Sequence, residues 1–96
     1  MLGLVVAEHL WRTTPGASVG ALTTRRAEIV SGANLALWAG RLGLGAHLRL
    51  GHGEEITGGR AKESLLATAL EAVLGVVYLE EGLPGARRAI ASLAVW

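Results

Sequence analysis

The sequence predicts an all-α domain, and three observations carry that prediction. Five segments of the 96-residue chain read as helical from the spacing of their apolar residues. Hydrophobic residues make up 51% of the chain, yet Phe is absent and Tyr occurs once, so Ala, Leu and Val must fill the core. That composition favours helices packed closely through small side chains. Finally, the strong breakers Pro15-Gly16, Gly43 and Gly82 fall between the helical segments.

The first segment, Leu2 to Arg12, carries Leu, Val and Ala nearly all round, which predicts a buried helix. Thr13-Thr14-Pro15-Gly16 ends it. Ser18 is placed to cap a helix over Val19 to Val30, with Leu22, Ile29 and Val30 inward and Arg25, Arg26 and Glu28 wet. Ser31 is placed to cap the next helix, Asn34 to Leu42, which Gly43 closes. Five glycines between Gly45 and Gly59 argue against a long regular element there. The strongest pattern spans Ala61 to Glu80, where Leu65, Leu66, Ala69, Leu70, Val73, Leu74, Val76 and Val77 cover most of the circumference. A helix apolar on nearly every side is expected at the centre of a bundle. Gly82 stops it, and Pro84 fits the first turn of a last helix through Val95.

Length and charge narrow the function classes. Ninety-six residues make one small domain, with no internal repeat, low-complexity tract or linker. A net charge of +1 supplies no global field for a polyanion, so any nucleic-acid site must be a local patch. Zero cysteines exclude disulfides and Cys-ligated zinc and fit a reducing, cytoplasmic setting. The apolar start lacks a basic leader and carries Glu8 and His9, so it does not read as a signal peptide. The longest apolar stretch, Leu65 to Leu79, falls short of the ~20 residues of a spanning helix and holds Glu71 in its middle. A soluble protein with no membrane partner is expected. Because the chain opens inside a helical pattern without a cap, Met1 is not expected to be the natural beginning of the fold.

Few residues carry chemistry. Gly53 to Arg60 opens like a phosphate loop, but Gly59 stands where the Lys must be and no strand precedes it. His9, His47 and His52 lack metal-site spacing and are expected at surfaces or interfaces. Glu71 is the informative residue, an acid among Leu70, Ala72, Val73 and Leu74 whose unpaired burial would be costly. Ser64, Thr68, Glu71, Gly75 and Tyr78 share its face at i, i+3/i+4 spacing. The spacing leaves two readings open, a structural hydrogen-bonding stripe and a functional site. Arg60, Lys62 and the Arg25-Arg26 pair are the basic candidates, without an aromatic platform for base stacking.

The residues themselves carry a further signal. Leu48 to Glu55, Gly58-Gly59-Arg60, Glu63 to Ala67, Leu70-Glu71-Ala72, Gly75 and Tyr78-Leu79 resemble the second half of the ribonuclease III nuclease domain. Val30-Ser31-Gly32, Asn34-Leu35-Ala36 and Leu42 to Gly45 are similar to the same family, and Leu2 to Val6 resembles the segment directly after its signature motif. The resemblance runs through essentially the whole chain without gaps. It implies an all-α ribonuclease III endonuclease-domain bundle lacking its first helices, with residues 1–96 a partial nuclease domain and no double-stranded-RNA-binding domain.

By resemblance the function is Mg²⁺-dependent endonucleolysis of double-stranded RNA by a homodimer, as in ribosomal-RNA maturation. The family holds its metal with carboxylates, hard oxygen ligands that suit the ion. Two come from the signature motif and two from the central helix as Asp-x-x-Glu. Glu71 matches the central-helix Glu as catalytic and metal-ligating residue, while Thr68 stands where the Asp is expected. Arg60 and Lys62 are the RNA-contacting candidates. Val19 and Ala21 fall where the family is usually acidic. The missing signature motif and these departures predict that this chain does not cut RNA alone. The alternative is a non-catalytic RNA-binding, dimerisation or scaffold protein.

Overall fold

A computed structural model describes residues 1–44 and 59–94. They form helices α1 (Leu2–Thr13), α2 (Val19–Ile29), α3 (Gly32–Arg41) and α4 (Gly59–Leu93). No strand occurs among the described residues. No described helix is long and apolar enough to cross a membrane.

The helix ends follow local hydrogen bonding. Thr13 and Thr14 turn their hydroxyls back onto the carbonyls of His9 and Leu10, and α1 stops there. Such bonds give the chain an alternative to further helix. Ser18 Oγ accepts from the Ala21 amide at 3.1 Å, and Ser31 Oγ from the Asn34 amide at 3.3 Å. Both serines are therefore the N-caps that the sequence suggests. Asn34 also donates from Nδ2 to the Ile29 carbonyl at 2.7 Å, which joins the end of α2 to the start of α3. Helix α3 begins two residues before the expected Asn34, because Ser31 itself occupies the cap.

Gly82 breaks α4 into two arms, over residues 59–81 and 83–93, with φ +71° and ψ −169°. Only glycine adopts that conformation without strain. Pro84 then sits in the first turn of the second arm, where its missing N–H leaves no helical bond unmade. At the far end, Arg41 Nη1 donates to the Leu93 carbonyl at 2.7 Å, a cation meeting a helix C-terminus.

The core draws on every helix. Val5, Val6 and Leu10 of α1 meet Ile29 of α2, Leu35, Trp38 and Ala39 of α3, and Ala67, Leu70, Leu74, Ile90 and Leu93 of α4. Trp38, Leu70, Leu74, Ile90 and Val6 are the largest fully buried side chains. Burying each of the four aliphatic ones contributes about 1.5–3 kcal/mol before entropy is charged against it. Helix α4 packs chiefly on α3 and secondarily on α1, and among the described residues its backbone does not come close to that of α2.

Two expectations about burial are corrected. Helix α1 is buried on one face only, with Leu4 59% and Trp11 71% exposed. The first arm of α4 is likewise not covered all round, since Val73 and Val76 are exposed and Leu79 is 83% exposed. The physical reason is coverage: among the described residues only α1 and α3 pack closely along α4, too few to enclose its whole apolar circumference.

Candidate functional site

The outward face of the first arm of α4 holds the residues singled out by their chemistry. Ala67, Leu70 and Leu74 point into the core at i, i+3 and i+7, which turns the intervening positions outward. Ser64, Thr68, Glu71 and Tyr78 are exposed and Gly75 is half-buried, so the five form one surface stripe. No side-chain hydrogen bond or ion pair joins Glu71 to another described residue. Because Glu71 is exposed, its carboxylate carries no burial cost, and the oily neighbours in sequence belong to other faces of the helix. Thr68 precedes it by nearly one turn, so a carboxylate and a hydroxyl open side by side to solvent.

Other candidates separate from this stripe. Lys62 is exposed near the start of α4, where its charge is solvated. The side chain of Arg60 lies outside the described residues, as do His47, His52 and the stretch from Gly53 to Gly58. Val19 and Ala21 are exposed in the first turn of α2, whose backbone does not come close to that of α4, and so are not brought to Glu71. Among the described residues no three His, Asp or Glu side chains group closely enough to hold a metal ion. His9 is half-buried in α1, and its pKa is pushed down first by desolvation and then by the Arg12 cation.

Two features lie beyond the reach of sequence spacing. Glu8 of α1 accepts from Arg87 of α4 through both carboxylate oxygens, at 2.8 Å each, with Arg12 at 3.7 Å as a second cation. The hydrogen-bonded Arg87 guanidinium is the main reason that the Glu8 carboxyl titrates below its ordinary value. The second feature is a groove of about 450 Å³ between α1 and α2, whose lining includes Leu4, Trp11, Val19, Leu22, Glu8 and Arg26. The only sequence signal for it is the pair of apolar residues Leu4 and Trp11, two turns apart on the same helix.

Comparison with known proteins gives the family. The family model described as "Ribonuclease-III-like" matches residues 1–95. The chain belongs to the ribonuclease-III-like family. It is 53% identical over 93 residues to a Ribonuclease 3 of Heliobacterium modesticaldum, covering 97% of this chain and 40% of that protein. It is 53% identical over 83 residues to a Ribonuclease 3 of Thermobifida fusca, covering 86% of this chain and 35% of that one. The chain thus spans two fifths or less of the length of these ribonuclease 3 relatives. Among solved structures, the nuclease domain of ribonuclease III from Campylobacter jejuni superposes with a TM-score of 0.86 at 36% identity. That match covers 96% of this chain and 64% of the other, whose description concerns flexibility in a region involved in dimer formation. The ribonuclease III resemblance read from the residues and the all-α fold are both borne out.

Proposed function

We propose that residues 1–96 are part of the nuclease domain of a ribonuclease III-type endoribonuclease acting on double-stranded RNA, and that this chain does not cleave RNA by itself. Family membership supports the first half. The single observation that carries the second is the pairing on α4 of an exposed Glu71 with a threonine, not an acid, three residues before it. In this reading Glu71 is the carboxylate that α4 contributes to catalysis, and Lys62 with Arg60 contacts the RNA backbone.

Mg²⁺ is the cofactor that the family implies. The donors on this face are one carboxylate and the hydroxyls of Ser64, Thr68 and Tyr78. Mg²⁺ demands near-octahedral oxygen coordination and is anchored chiefly by carboxylate charge. The described residues of this stripe do not meet that demand. What Glu71 can do here is accept hydrogen bonds from water or hold a cation weakly in solvent, where charge pairing is worth little. A homodimer, as the family implies, would set two such faces in one particle.

The second reading is a non-catalytic ribonuclease III-like RNA-binding or dimerisation protein, and Thr68 favours it. One assay distinguishes these from an active enzyme. Purified chain incubated with labelled double-stranded RNA and Mg²⁺ or Mn²⁺ is expected to leave the RNA intact. Metal-dependent cleavage that disappears in Glu71→Ala would overturn the inactivity and establish Glu71 as catalytic. Retention of RNA without cleavage, lost on Lys62→Ala, supports the binding reading.

A further inference from the structure

We draw no further inference here: the strongest candidate, the apolar groove between α1 and α2 where Trp11 stands exposed beside Leu4, Val19 and Arg26, is an unpartnered face, and nothing in the structure shows what covers it.

Discussion

Arg87 grips the carboxylate of Glu8 through two parallel hydrogen bonds of 2.8 Å, tying α1 to the second arm of α4 across 79 positions of sequence. Fork-to-carboxylate geometry is the strong form of an ion pair, because both oxygens and both donors are used. The pair sits at the surface, so its worth is modest and solvent-screened. It adds a directional contact between α1 and the arm beyond Gly82, which buried Ala86, Ile90 and Leu93 also hold in place.

The acid limb of stability should report this pair. Glu8 titrates below its ordinary 4.5 because Arg87 favours the ionised form. A depressed carboxyl pKa stabilises the fold fully above 4.5 and loses that contribution as pH falls through the lower folded value. Glu8→Gln is therefore expected to lower the melting temperature at neutral pH, with the deficit closing in acid. Arg87→Lys keeps the charge but loses the fork, so it should fall between wild type and Glu8→Gln. An equal Glu8→Gln deficit at neutral and strongly acidic pH would assign the loss to packing.

His9 should set the slope at milder pH. Desolvation and the Arg12 cation both push its pKa below 6.5, so the folded chain keeps the imidazole neutral where the unfolded chain takes up a proton. Stability is then expected to fall as pH drops below 6.5 and to level off once the folded form also protonates. Denaturant midpoints measured across that window should show the slope in wild type and a flatter line in His9→Gln. A slope unchanged in His9→Gln would place it on another group.

The bend in α4 depends on two glycines for different reasons. Gly82 needs its positive φ of +71°. Gly85 needs its missing side chain, since a Cβ there would lie 2.4 Å from Glu81 Cβ. That neighbour is the root of a side chain and cannot swing aside. Gly82→Ala and Gly85→Ala are each expected to cost about 1–3 kcal/mol, the first through backbone strain and the second through overpacking. Gly75→Ala is the control, because a methyl group there would have nothing within 4 Å and the backbone is helical. It should be neutral or slightly stabilising by chemical denaturation.

How much of this was legible depends on range. Ser18, Ser31 and Gly82 act within four residues of their own positions, so cap and break rules find them. The stripe from Ser64 to Tyr78 is legible because helical spacing alone groups it on one face. Spacing does not say whether that face is covered. Glu71 in an apolar neighbourhood of sequence suggests a burial problem, and the fold removes it by turning the residue outward. The same blindness makes α1 look buried, although Leu4 and Trp11 stay exposed. The Glu8–Arg87 pair is a contact between chain ends, and no local pattern announces it. Arg60 is legible as a candidate by resemblance, but its side chain lies outside the described residues.

The acidic site can be tested at its weakest position. Thr68 and Glu71 are both exposed, so Thr68→Asp adds a second carboxylate on the same face without disturbing the core. Two like charges at i, i+3 repel, which should cost a few tenths of a kcal/mol in helix stability without metal. A divalent ion held between them relieves that repulsion and binds only the folded chain, so it stabilises by linkage. Wild type is expected to bind Mn²⁺ only weakly, on the order of millimolar or worse for a single exposed carboxylate. Thr68→Asp should bind it more tightly and gain melting temperature as the ion is added, and Thr68→Asp with Glu71→Gln should lose both effects. Thr68→Asn, which matches the new side chain in shape without its charge, should resemble wild type. Equal Mn²⁺ binding by wild type and Thr68→Asp would show that the threonine is no handicap, and the case for an inactive chain would then lose its main support.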